Sequence, residues 1–251
     1  PEPQWFPKSY REAWDAGDHL FLNAIGLTNP GIEAAMREVT PTWDAWNATC
    51  ILSFSSDTVA QFGEMAAMAG QGTGYRAIEL NLSCPNVEDG SLFGHSPELT
   101  AQAVASVRAE TDLPVLAKLA PNVPDIVEIA RAAVDSGADA LTICNTVPAM
   151  RIDITSRRPV LGNNTGGLSG EGLRPISQNL VEQVSNAWDV PIIGVGGIFS
   201  GDHAAEYILA GASAVQIGSA NLMGLSAPWR ILAELQDWMQ QSGVTSLRGL
   251  A

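Results

Sequence analysis

The chain has 251 residues, 46% hydrophobic and 16% charged, enough to bury a sizeable core and too apolar for a disordered tail or a fibrous repeat. Thirteen Lys and Arg stand against 27 Asp and Glu, and the formal charge of −14 repels phosphate backbones and anionic lipid, which argues against nucleic acid or a membrane as partner. Residues 207–229 carry no charge, but Gly211, Gly218, Gly224, Pro228, Gln216 and Asn221 break the run, so it reads as a buried strand with its turns and not as a membrane span.

Cys50, Cys84 and Cys144 lie far apart and form no CxxC pair, which argues against a disulfide framework, a zinc ribbon or a self-contained four-cysteine iron–sulfur cluster. A reducing, cytoplasmic setting is expected. The chain opens on Pro1 with no basic-then-apolar leader. No linker-like composition divides it, so residues 1–251 are expected to form a single domain.

In chain order, one unit recurs: a short apolar strand, a polar or Gly-rich loop, then an amphipathic helix. Six strands are predicted, at 51–55, 77–82, 114–119, 140–145, 191–196 and 214–218. Several are nearly continuous apolar runs, as parallel strands covered on both faces require. Asp57 precedes a helix over 58–69, and Ser96-Pro97-Glu98 gives a cap, a first-turn proline and an acid. Gly137 ends a helix over about 124–136, and Ser200 opens one that stops at Gly211. Strict alternation of this kind leaves a closed eight-stranded (β/α)8 barrel or an open doubly wound sheet, and no GxGxxG opens any helix to favour the second.

Two loops are built for close backbone approach. Ile193-Gly194-Val195-Gly196-Gly197-Ile198 and Gln216-Ile217-Gly218-Ser219-Ala220 end consecutive strands with small residues whose N–H groups suit phosphate oxygens. Barrels commonly hold phosphate after strands seven and eight, whereas these loops follow the fifth and sixth predicted strands. Two strands are therefore expected on the N-terminal side, and 1–22, with Pro1, Pro3 and Pro7, do not supply them. The functional protein is expected to carry roughly 45 to 50 further N-terminal residues. Simple turn formation is the competing reading of each glycine pair.

Chemistry concentrates at Glu79-Leu80-Asn81-Leu82-Ser83-Cys84-Pro85-Asn86, where a strand runs into a loop carrying a thiol between two amides. Cys50 and Cys144 read as small core hydrophobes. Cys84 differs, because Pro85 ends the strand beside it and 87–95 has the composition of a mobile lid, which suits a nucleophile or proton acceptor. Lys118 sits in Val115-Leu116-Ala117-Lys118-Leu119 and must face a ligand or a carboxylate, since a buried ammonium without a partner is costly. Asn23, Asn81, Asn86 and Asn145 suggest a neutral, hydrogen-bonding pocket, Asn23-Ala24-Ile25-Gly26-Leu27 reading as a Gly-containing turn.

With these residues placed, the sequence resembles the dihydroorotate dehydrogenases. Asn23-Ala-Ile-Gly-Leu27, Asn81-Leu-Ser-Cys-Pro-Asn86, Lys118-Leu-Ala-Pro-Asn122, Asn145-Thr146, Arg158-Pro-Val-Leu-Gly162, Gly166-Gly-Leu-Ser-Gly170, Gly194-Val-Gly-Gly-Ile198 and Gly211-Ala-Ser-Ala-Val-Gln-Ile-Gly-Ser219 recur in family order. Cys84, in place of serine, is similar to the soluble branch. Asp89-Gly-Ser-Leu-Phe-Gly94 and 158–162 are similar to its NAD-linked subgroup, whose catalytic subunit pairs with an FAD and iron–sulfur electron-transfer subunit.

The resemblance implies an FMN-binding (β/α)8 TIM barrel, here short of about two N-terminal strands, that oxidises (S)-dihydroorotate to orotate in pyrimidine biosynthesis. Cys84 would be the base at ring C5 while hydride leaves C6 for flavin N5. Asn23, Ala24, Ile25, Gly26, Leu27, Asn81, Asn86, Asn145 and Thr146 would hold substrate. Asn81, Lys118, Cys144, Gly170, Gly196, Gly197, Gly218 and Ser219 would hold FMN, the last four around its phosphate. Ser53 stands where relatives commonly carry a flavin-contacting asparagine and is the candidate for that contact. A homodimeric core is expected. The rival readings are a dihydropyrimidine dehydrogenase-like flavin enzyme, which favours His where this chain has Asn86, a non-redox phosphate-binding barrel, and a non-catalytic binding module.

Overall fold

The computed structural model describes residues 19–83, 92–248 and 250. Its strands in chain order are β1 (Leu20–Asn23), β2 (Ile51–Phe54), β3 (Ala77–Asn81), β4 (Val115–Leu119), β5 (Ala140–Ile143), β6 (Val147–Ala149), β7 (Ile152–Asp153), β8 (Arg158–Pro159), β9 (Gly166–Gly170), β10 (Ile192–Val195) and β11 (Ala214–Gln216). The longer helices are α1 (Val59–Ala69), α2 (Pro97–Arg108), α3 (Ile126–Asp135), α4 (Arg174–Ala187), α5 (Gly201–Leu209) and α6 (Ala227–Gln241). Two compact units divide the described residues, one drawn from 19–27, 144–182 and the described part of 193–251 and the other from the described part of 28–143 and 183–192.

In the second unit β2, β3, β4 and β5 pair in parallel, in chain order. β3 and β4 are buried at nearly every position, as strands covered on both faces must be. β2 alternates instead, with Leu52 and Phe54 in the core and Ile51 and Ser53 exposed, because β3 is its one partner among the described strands. The same edge position corrects the reading of Cys50 as a core hydrophobe. Cys50 immediately precedes β2 and is only half-buried, and its carbonyl accepts from Arg76 N–H at 2.8 Å.

Helix starts follow their side-chain caps. Thr58, one residue beyond the expected Asp57, accepts from Gln61 N–H at 3.2 Å. Ser96 accepts from Leu99 N–H ahead of Pro97, and Asp125 from Val127 and Glu128 N–H. Gly137 leaves α3 at φ +106, a backbone that L side chains resist. Gly63 lets α1 and α2 close together, since a Cβ there would stand 3.2 Å from Ser106 carbonyl oxygen. The Phe62 and Phe93 rings meet edge to face at 5.2 Å beneath them.

The first unit holds the parallel pair β10 and β11 and an antiparallel sheet ordered β1-β9-β6. Periodicity did not reveal β1 or β9. A strand reading Gly-Gly-Leu-Ser-Gly has little side chain to pack, yet glycine is what the site demands: a Cβ at Gly166, Gly167 or Gly170 would run into Asn23, Thr146 or His19 respectively. β1 lies antiparallel to β9, so 20–23 add no strand to the parallel series. Among the described residues the parallel strands are thus the six expected, β2, β3, β4, β5, β10 and β11, each within about two residues of its predicted bounds.

Candidate functional site

The second unit brings Ser53 and Lys118 onto one carboxylate. Side chains alternate along a strand, so Ser53, Glu79, Lys118 and Thr142 share one sheet face: Ser53 lies opposite Glu79, Asn81 opposite Lys118, and Lys118 opposite Thr142. Ser53 Oγ donates to Glu79 Oε1 at 3.1 Å and Thr142 Oγ1 donates to Oε2 at 2.9 Å. Lys118 Nζ stands 3.8 Å from Oε1. The carboxylate expected beside Lys118 is therefore Glu79, which sequence reasoning did not single out. Its signal was available, since Glu79 is the one charge in the otherwise uncharged strand Ala77-Ile-Glu-Leu-Asn81. Thr142 was likewise missed.

Asn81 closes β3, where its side-chain oxygen accepts from Ser83 N–H at 3.2 Å and turns the chain out of the strand. Cys84 and Asn86 lie outside the described residues. Gly94 N–H donates to Leu82 carbonyl at 2.7 Å.

The remaining candidates belong to the first unit. Asn23 ends β1 and donates from Nδ2 to Gly167 carbonyl at 3.4 Å. Ala24, Ile25, Gly26 and Leu27 follow in a turn with Gly26 at φ +73, and Ile25 and Leu27 are exposed. Cys144 is buried, its N–H donating to Val195 carbonyl at 3.2 Å. Asn145 Oδ1 accepts from Thr146 N–H at 2.8 Å, and Thr146 packs on Gly167. Asn23 and Thr146 thus flank the same glycine strand.

The paired-glycine loop is held from two sides. Ser177 Oγ donates to Val195 carbonyl at 2.7 Å, and Tyr207 Oη donates to Gly196 carbonyl at 2.6 Å. Burial pushes the Tyr207 phenol well above its ordinary value, so it stays a donor. Gly196 and Gly197 take φ +133 and +67, and a Cβ on Gly197 would come within 2.7 Å of Gly170 carbonyl oxygen. Just beyond the loop, Phe199 N–H donates to His203 Nδ1 at 3.2 Å. Burial, with Arg174 adding to it, holds His203 below the usual imidazole range against the opposing pull of Glu171, Glu206 and Asp202.

Gly218 is different. Its φ of −104 demands no glycine, and a Cβ there would meet nothing within 4 Å. Asn221 Nδ2 ties down the carbonyls of Ile217 and Gly218 at 2.8 and 3.0 Å, which fixes the turn that Ser219 opens. Open space beside a fixed small-residue turn is what a ligand approaching the backbone requires.

No helix among the described residues is long and apolar enough to cross a membrane. A family model described as dihydroorotate dehydrogenase matches residues 7–239. Among similar proteins are three named dihydroorotate dehydrogenase B (NAD(+)), catalytic subunit, from Desulforudis audaxviator, Geobacter metallireducens and Pelobacter propionicus. Each is 44% identical over 230 residues, covering 91% of this chain and 75 or 76% of the relative. Parallel strands leading into helices, a lysine on a buried carboxylate and glycine turns at strand ends are thereby joined to a likeness that runs through most of the sequence: the chain belongs to the dihydroorotate dehydrogenase family, whose fold is the (β/α)8 barrel.

Proposed function

We propose that Cys84 is the base of a dihydroorotate dehydrogenase reaction for which FMN is the cofactor. Oxidation of dihydroorotate to orotate in pyrimidine biosynthesis is the family's reaction, and the chain is a flavin-dependent oxidoreductase that works with a partner subunit. The observation that carries this is the 44% identity over 91% of the chain to catalytic subunits of the NAD(+)-linked enzyme.

The chain's own residues suit a flavin. Open space at Gly218 beside the Ser219 turn fits a phosphate, and the partly buried Lys118 side chain, with its ammonium, fits the pyrimidine edge of the ring, where a cation favours the electron-rich reduced form. Bound FMN would supply the hydride acceptor for ring C6. Asn81, Ser53 and Cys144 are proposed flavin contacts, with Gly170, Gly196 and Gly197 beside Gly218 and Ser219. Asn23 to Leu27, Asn81, Asn86, Asn145 and Thr146 are proposed to hold a dione ring with its carboxylate, for which amides and backbone N–H groups are the right donors and acceptors.

Cys84 would take the C5 proton as thiolate, becoming the thiol, and release that proton to solvent as the thiolate is regenerated. A partner carrying FAD and an iron–sulfur centre, a homodimeric core and a cytoplasmic setting complete the reading. To test it, the purified full-length protein is mixed anaerobically with dihydroorotate. A visible flavin spectrum that bleaches supports the reading. No flavin spectrum, or a spectrum unchanged by dihydroorotate, contradicts it.

A further inference from the structure

Glu79 is only 4% exposed in a strand packed on both faces, where an ionised carboxylate is costly unless every lone pair is served. Three other strands serve it: Ser53 from β2, Lys118 from β4 and Thr142 from β5, one strand further on. Both oxygens are engaged by neutral hydroxyls at hydrogen-bond distance, while the ammonium is held more loosely at 3.8 Å. The hydroxyls fix the carboxylate, and the carboxylate in turn restrains the lysine by charge. Lys118 keeps 22% of its side chain exposed, so the pair is not sealed from the solvent on the lysine side.

Stability alone does not call for this arrangement. Replacing a buried ion pair by well-packed apolar residues is commonly neutral or stabilising, whereas breaking it by removing one partner is not. A cation beside a redox ring needs two things that Glu79 supplies: a fixed position, and partial cancellation of its charge. The geometry points to Glu79 as a positioning residue that sets where the Lys118 ammonium stands and how much of its charge the flavin feels. This rests on the reading that Lys118 lies by the flavin. Glu79 acts through Lys118 and touches no reacting atom.

The test uses full-length holoenzyme carrying Glu79→Gln or Glu79→Asp, with two readouts that do not depend on turnover. The first is the flavin midpoint potential. Glutamine removes a negative charge, so the reduced, anionic ring is stabilised and the potential moves to a more positive value. The second is labelling of Lys118 by an amine-reactive reagent, followed by peptide mapping. Loss of the carboxylate removes the charge partner that restrains the amine 3.8 Å away, and labelling rises several-fold. Aspartate keeps the charge but is one methylene shorter, so it gives smaller changes of the same sign and decides the matter if the glutamine variant does not fold. A folded variant whose potential and Lys118 labelling both match the unsubstituted protein overturns the assignment of Glu79. Absence of flavin from the unsubstituted protein instead overturns the functional reading on which the assignment rests.

Discussion

Two glycine turns in one unit, each at a strand end, have opposite reasons for their glycine. Gly197 is locked into its own fold: φ is +67, and the carbonyl of Gly170 fills the space a side chain would take. Gly218 has an ordinary negative φ and empty space where a Cβ would go. The first glycine is explained by packing, whereas packing does not require the second. Sequence treated the two as equivalent phosphate candidates, and the coordinates separate them. A small residue that packing does not require is better grounds for a ligand than one that packing does require.

Substitution should break this symmetry. Gly197→Ala is the largest expected effect: a left-handed alanine pressed on a carbonyl should cost about 3 kcal/mol of folding stability in chemical denaturation. Gly218→Ala should stay within about 1 kcal/mol of the unsubstituted stability, yet weaken FMN binding at least about tenfold in a flavin titration, since a methyl group enters the cradle. If Gly218→Ala binds FMN normally, the open space at that turn is not the phosphate site.

The smallest effect concerns pH. His203 holds the residue after the paired-glycine loop through an acceptor nitrogen, which protonation removes. Burial lowers its folded value below the ordinary value of about 6.5, so between the two the unfolded chain binds a proton that the folded chain refuses. Stability therefore rises with pH through that window, is fully present above about 6.5, and is lost as pH falls through the lowered folded value. His203→Gln should flatten that part of a stability-against-pH profile. An unchanged slope in the variant would assign the acid sensitivity to other groups.

The parts of the molecule legible in the sequence are those governed by burial. Continuous apolar runs located β3, β4, β5 and β10 to within about two residues, because strands covered on both faces leave no polar alternation to misread. Lys118 stood out for the same reason, and a carboxylate is indeed beside it. Glu79 was passed over because only the cross-strand register reveals that it meets Ser53 and Thr142. β1 and β9 were missed because a glycine-rich strand is specified by backbone approach, which has no hydrophobic period. Cys50 was misread because whether a strand lies at an edge is a property of pairing, not of its own residues.

The most direct measurement is flavin reduction by dihydroorotate in the Cys84→Ala variant of the full-length protein, followed anaerobically by stopped-flow absorbance. The account predicts that the variant retains FMN and binds orotate, and that reduction slows roughly 100- to 10,000-fold because the base is gone while the pocket amides remain. Reduction at the unsubstituted rate would show that the proton leaves C5 by another group and would contradict the account at its centre.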